Sequence, residues 1–213
     1  MDESLPVAGT VVLLRDGSAG LEVLLVRRPD RGSFAGGWVF PGGKVEDADR
    51  VDGADEIEDA RLAGIRETSE EVGLAVDGLV VLSRWNPPPE APARIRTWFF
   101  LAHDPGGTIT PSPDEVIDTI WMRPAEAMER HAMGALTLFP PTWVTLFHLA
   151  GFSDVASAFA AAGEPPTFTT RMRRSAAETT LLWQGDAEHP SAATPAGIHR
   201  LEIGALPWRY TRS

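Results

Sequence analysis

The stretch Arg66-Glu67-Thr68-Ser69-Glu70-Glu71-Val72-Gly73-Leu74 concentrates the residues of this chain best suited to chemistry. At the helical repeat, Glu67, Glu70 and Glu71 stand at i, i+3 and i+4, so three carboxylates share one face. Like charges so placed repel one another, and near the C-terminal end of a helix they also oppose the macrodipole. Something positive should repay that cost. Oxygen donors in a chain without cysteine select a hard divalent cation, Mg²⁺ or Mn²⁺, over zinc. The same residues also fit a solvated acidic helix face. Their crowding into the last turns, the adjacent Arg66 and the upstream Pro41-Gly42-Gly43 favour the metal, since paired glycines let backbone approach a ligand closely.

The elements that must position these groups are legible from periodicity. Apolar runs Val7 to Leu14 and Leu21 to Val26 flank a turn-forming stretch and predict a β-hairpin. A short strand ends in Phe40-Pro41-Gly42-Gly43. Ile57, Ala60, Leu62, Ile65 and Val72 give a helical stripe that Gly73 closes. Strand-like runs follow at Leu79 to Arg84, Ile95 to Ala102 and Val116 to Met122, and Pro124 suits the first position of a short helix. The tail after Gly134 predicts helices over Pro141 to Ala150 and Asp154 to Ala162. Three β-like pieces then follow, Phe168 to Met172, Thr179 to Trp183 and Ile198 to Ile203.

Arg66-Glu67-x-x-Glu70-Glu71-x-Gly73-Leu74 resembles the second half of the Nudix box, G-x5-E-x7-R-E-U-x-E-E-x-G-U with U aliphatic, and Phe40-Pro41-Gly42-Gly43 resembles the usual entry to it. Glu58 stands eight residues before Arg66, as the box requires; Asp52 occupies the place of the leading glycine and Thr68 that of an aliphatic residue. Val45 to Ile57 therefore holds an insertion, expected to detach the glycines from the helix. The resemblance covers Val7 to Met133. It implies an α/β (α+β) fold, an α/β/α sandwich with a mixed sheet. Residues 1–133 would form the hydrolase domain. Residues 134–213 would be a helical and irregular extension packed on it, serving dimerisation or substrate selection.

Carried over residue by residue, the resemblance makes Glu70 and Glu71 metal ligands, Glu67 a ligand or general base, and Arg66 the group that orients Glu67. The Gly42 carbonyl is a further ligand. So is Glu115, six residues before Trp121, with Asp114 and Asp118 as alternates. Arg27, Arg28, Arg31 and Arg94 are expected phosphate contacts, because guanidinium forks match phosphate geometry. The implied reaction is divalent-metal-dependent hydrolysis of a pyrophosphate bond in a nucleoside diphosphate linked to another group. Leu24-Leu25-Val26-Arg27-Arg28, the insertion, Ala93 to Leu101 and the late Gly185-Asp186 resemble relatives of the peroxisomal coenzyme A diphosphatases. They make coenzyme A or an acyl derivative the named candidate, although Arg96 stands where those relatives carry an acid. The alternative is a non-catalytic nucleotide-binding or regulatory module, which would usually lack the box glutamates.

Composition sets outer bounds. A net charge of −11 argues against binding a nucleic-acid backbone, which needs clustered Lys and Arg. Zero cysteines remove disulfides, iron–sulfur clusters and thiol nucleophiles. No run approaches the ~20 uninterrupted apolar residues of a membrane span, and Met1-Asp2-Glu3-Ser4 lacks the positive opening of a secretory signal. A soluble cytoplasmic enzyme acting on a small molecule is expected.

Overall fold

The computed structural model describes residues 5–32, 34–175, 178–191 and 197–213; the opening tetrapeptide lies outside them. β1 (Val7–Gly17) and β2 (Gly20–Arg27) form the predicted hairpin, with Gly17 paired to Gly20 across a two-residue turn. β3 (Trp38–Val39) and β4 (Gly42–Lys44) follow, then α1 (Glu56–Val72), β5 (Val80–Asn86), β6 (Arg96–His103) and β7 (Asp118–Met122). The helices α2 (Pro124–Ala132), α3 (Pro140–Leu149) and α4 (Val155–Ala160) come next. The chain ends in β8 (Thr167–Thr169), β9 (Arg171–Arg174), β10 (Thr179–Leu182), β11 (His199–Glu202) and β12 (Arg209–Arg212).

The first eight strands make one mixed sheet. Its path runs β3-β2-β1-β6-β5-β8, with β4 on β1 and β7 on β2. β1 is parallel to β6 and β5 to β8; the other pairs are antiparallel. Because both faces are covered, β1 reads as an unbroken apolar run rather than an alternation. Val11 and Leu13 pack with Leu24, Val26 and Phe100 beneath α1. Val12 and Leu14 pack on the opposite face with Val23, Leu25, Val144 and Leu146. This is the expected α/β/α arrangement.

The tail fills the same core. β8 extends the main sheet, and Trp85 of β5 stacks on its Phe168 at 4.0 Å and meets Trp183 edge-on at 5.8 Å. β9 to β12 form a second antiparallel sheet. The three predicted β-like pieces are all present there or in β8. β12 gave no apolar signal, since Tyr210 alone carries an inward ring among Arg209, Thr211 and Arg212. The Gly185-Asp186 element is a structural pin: buried Asp186 accepts two bonds from Arg200, at 2.8 and 2.7 Å, and one from the His199 amide.

α1 is seated by its smallest residues. Of the predicted stripe, Ala60 and Val72 are buried while Ile57, Leu62 and Ile65 are only half-buried; the buried face is Ala60, Ala63, Gly64, Thr68, Glu71 and Val72. A Cβ on Gly9 of β1 would sit 1.8 Å from the Ala60 carbonyl oxygen and 2.8 Å from the Gly64 amide nitrogen, so helix and strand meet backbone to backbone. Thr68 is tolerated in this contact because its hydroxyl donates to the Gly64 carbonyl at 2.7 Å. Asp55 caps the helix start by accepting from the Glu58 amide, and Gly73 closes it at φ 72°.

Gly9→Ala should therefore destabilise the protein by about 3 kcal/mol, the upper end for overpacking, because rigid backbone opposes the methyl group. Urea denaturation checks this; a midpoint equal to wild type would refute the close approach.

Candidate active site

The glycine turn and the acidic helix meet although an insertion separates them in sequence. The expectation that the insertion detaches them is corrected. The segment between β4 and α1 leaves and returns through a 3-10 turn at Asp47–Asp49, so β4 still lies on α1. Gly42 donates its amide to Glu71 Oε2 at 3.0 Å. A Cβ on Gly43 would stand 2.1 Å from Glu67 Oε1, so only glycine leaves room for that carboxylate. Gly42 itself, at φ 151°, has the Gly9 carbonyl oxygen 2.3 Å from where a Cβ would be.

The three glutamates differ in environment. Glu71 is 1% exposed and is bonded by Arg28 as well as by Gly42. Burial pushes its carboxyl up to about 7, against the pull of Arg28. Glu67 is 15% exposed, and Arg66 Nη1 donates to its Oε1 at 3.0 Å. Burial raises its proton affinity, Arg66 opposes this, and the charges of Glu70 and Glu115 add to the rise. Glu70 is half-exposed and takes a 2.8 Å bond from the same Arg66 nitrogen.

The loop before β7 is tied to the end of α1. The Thr110 amide donates to the Val72 carbonyl and the Ser112 amide to the Glu71 carbonyl, each at 2.9 Å. This brings exposed Glu115 within electrostatic reach of Glu67. Asp114 instead offers its carbonyl to Arg31 Nη2 at 3.3 Å, and Asp118 accepts from the Thr119 amide. Of the arginines, Arg28 is committed to Glu71, while Arg27 ends β2 with an Asp30 partner 3.8 Å away. Arg94 lies two residues before Arg96, which bonds Glu56 in the first turn of α1; that is the end of the helix remote from the acidic face. Trp98 is likewise core, its ring nitrogen donating to Glu56 at 2.8 Å.

Glu58 does not join the cluster; it pairs with Arg61 at 3.1 Å. The residue that does, Asp49, was missed by sequence reasoning. It comes from the insertion, is buried, and takes two bonds from Arg66, at 3.0 and 2.9 Å. Its signal is the G-x5-acid spacing of the box counted forward from Gly43; counting back from Arg66 across the insertion points to Glu58 instead.

The donor chemistry fits a hard divalent cation. Carboxylate oxygens and glycine backbone crowd one place, and burial, with a smaller part from mutual repulsion, raises Glu67 and Glu71 toward protonation. Among the described residues no three His, Asp or Glu side chains already converge as a metal cluster: Glu70 and Glu71 rest on arginines.

A family model of the NUDIX domain matches residues 5–140. The chain belongs to the NUDIX domain family. Among solved structures it is similar to a NUDIX hydrolase from Alicyclobacillus acidocaldarius, with 24% identity, TM-score 0.67, and coverage of 76% of this chain and 100% of the other. A MutT NUDIX hydrolase from Burkholderia pseudomallei matches at 25% identity and TM-score 0.50, over 68% of this chain and 98% of its own. The NUDIX domain of Shewanella oneidensis NrtR, solved with ADP ribose, matches at 18% identity and TM-score 0.54, over 70% and 88%. No curated protein gives a significant match. Fold and family thus make this Nudix protein an enzyme of the class that hydrolyses pyrophosphate bonds in nucleotide derivatives.

The raised carboxyls fix a sign for pH. Folded Glu71 holds its proton up to about pH 7 whereas the unfolded group releases it near its ordinary value of 4.5. Its contribution to stability is therefore complete below 4.5 and lost as pH rises through 7. Thermal melts of metal-free protein should show this decline, and Glu71→Gln should flatten it; an unchanged slope would contradict the assignment.

Proposed function

We propose that this Nudix enzyme hydrolyses the pyrophosphate of a nucleoside diphosphate linked to a second group, with Mg²⁺ or Mn²⁺ held by the acidic face of α1. The observation that carries this reading is the seating of Glu67 and Glu71 against Gly43 and Gly42, beside Arg66 and within reach of the Glu115 charge. Glu67, Glu70, Glu71, Glu115 and the Gly42 carbonyl are the oxygen donors assigned to the cation. A divalent ion bound there supplies charge neutralisation on the phosphate oxygens and acidifies water.

The protein's own groups do the rest. Glu67, half-withdrawn from solvent and oriented by Arg66, is the assigned proton acceptor from water. Its raised proton affinity brings it closer to working pH. Arg66 also steadies Glu70. Arg27, at the end of β2, and Arg31, just beyond it and donating to the Asp114 carbonyl, are the arginines assigned to phosphate oxygens. Arg28 acts indirectly, by neutralising buried Glu71. Residues 134–213 complete the core of the catalytic unit. Among the described residues no helix is long and apolar enough to cross a membrane.

Within this class, coenzyme A or an acyl derivative is the named candidate, on the resemblance of the β2 end, the insertion and the β6 approach described above. A panel of coenzyme A, acyl-coenzyme A, ADP-ribose, dinucleotides and nucleoside triphosphates, assayed with Mg²⁺ or Mn²⁺, tests it. Cleavage of coenzyme A to 3′,5′-ADP and phosphopantetheine is expected. Glu70→Gln should cut the rate more than about 100-fold, beyond the loss typical of an outer-shell partner. Full activity in that variant would overturn the ligand assignment. Cation binding without cleavage of any substrate would favour the binding-module alternative.

Gly43→Ala separates function from stability. The new methyl meets the mobile end of Glu67, so stability should change by less than about 1 kcal/mol while turnover falls. Equal loss of both, by melt and rate, would contradict this.

A further inference from the structure

We propose that the tail builds a second binding site, for a monocarboxylate with an apolar body of about eight carbons, on the face of the sheet opposite α1. The site is separate from the acidic cluster and does not depend on the hydrolase reading. Residues of β5 and β6 floor it, while α3, α4, β8 and β12 wall it. Its walls therefore lie beyond the stretch 5–140 that defines the family domain.

The cavity measures about 210 Å³. Its apolar lining is Trp85 and Leu101 from the sheet, Val144 and Leu149 from α3, Ala158 from α4 and Phe168 from β8, each a buried core residue. Protein interiors are close-packed and keep few voids larger than a water molecule, so a hollow of this size beside the core stands out. Such walls offer water few partners, and the Ser83 hydroxyl among them is already engaged by Trp85 Nε1 at 3.0 Å. An apolar cavity of roughly 150 Å³ accommodates benzene, and scaling from it gives this one room for about eight carbons.

The mouth supplies the chemistry for a head group. Arg212 of β12, His148 of α3 and Glu164 of the loop after α4 line it, and all three reach solvent. Among the described residues no carboxylate, Glu164 included, pairs with Arg212. Its contact is the Tyr210 hydroxyl. The Gln184 carbonyl takes the proton of His199 Nδ1 at 2.8 Å, so His199 Nε2 accepts from the Tyr210 hydroxyl at 2.9 Å. The Tyr210 oxygen is then left to accept from Arg212 and from His148 Nε2, 3.5 Å away. This chain anchors a guanidinium without a countercharge at an apolar mouth.

Charge complementarity selects the occupant. A guanidinium fork matches a carboxylate through two parallel bonds, and the apolar body behind that head group fills the cavity. Burial first, then the charges of Arg212 and His199, depress the proton affinity of His148. A carboxylate bound at Arg212 offsets that charge and lets His148 take a proton and donate as well. Glu164 on the same rim repels a second acidic group, which restricts the ligand to one carboxylate. Straight-chain and aryl-alkyl acids share this chemistry.

Calorimetric titration of the full chain with octanoate, 4-phenylbutyrate and 1-octanol tests the site. Octanoate should saturate one site with Kd below about 1 mM, and 1-octanol should bind at least about tenfold more weakly. Arg212→Gln, a change at an exposed position, should weaken octanoate about 10- to 100-fold, the worth of bonds to a charged group, and leave 1-octanol unchanged. Ala162→Leu, on the half-buried rim, should weaken both by occupying the cavity. By NMR, the His148 imidazole should titrate below its ordinary value of 6.5 in the free protein and move upward with octanoate. Whichever acid binds more tightly identifies the body as straight-chain or aryl. Absence of saturable binding, 1-octanol as tight as octanoate, full affinity in either variant or an unmoved His148 would overturn the proposal. If Ala162→Leu fails to fold, Arg212→Gln still decides. Because binding is read directly, a failure of the hydrolase reading leaves this test intact.

Discussion

Everything at the candidate site depends on how closely α1 can lie on the sheet. Gly9 on β1 and Gly64 on the helix remove the side chains that would hold the two backbones apart. Gly42 and Gly43 do the same for β4, and the space saved is filled by the carboxylates of Glu71 and Glu67. A helix resting on larger residues would carry these acids away from the glycine turn, and the oxygen donors would not share a place.

That close seating has an electrostatic consequence. Burying Glu71 and half-burying Glu67 near a helix C-terminus, where the macrodipole is unfavourable, gathers negative charge that the helix itself cannot balance, since its last turn holds no basic residue. Two arginines outside that last turn answer it. Arg28 arrives from the end of β2 and Arg66 from the helix, with Asp49 fixing the latter. The protein thus holds its acids in a charged, hydrogen-bonded setting rather than in an apolar one. This is what a site needs if its carboxylates are to remain acceptors for a cation.

The remainder of the chain serves rigidity. The face of the sheet opposite α1 is closed by α2 to α4 and by the aromatic cluster of Trp85, Phe168 and Trp183, so the tail stiffens the platform from behind. The buried Asp186–Arg200 pair fixes the second sheet without entering the acidic cluster.

The acidic face, its glycine turn, the hairpin and the helix ends were legible in the sequence because each rests on local periodicity or on a residue type with a special backbone role. Glu67, Glu70 and Glu71 share a face by helical geometry alone. Their sorting into buried, half-buried and exposed acids was not legible, because that depends on which small residues of α1 meet β1. Asp49 stands at the box's acid spacing from Gly43, yet its pairing with Arg66, seventeen residues on, was hidden by the insertion, because closure across an irregular loop is decided in space. Arg28 and Arg96 look alike as cations in sequence. Tertiary structure alone sends one to Glu71 and the other to Glu56 at the far end of the helix, because charge can be read from composition but distance cannot.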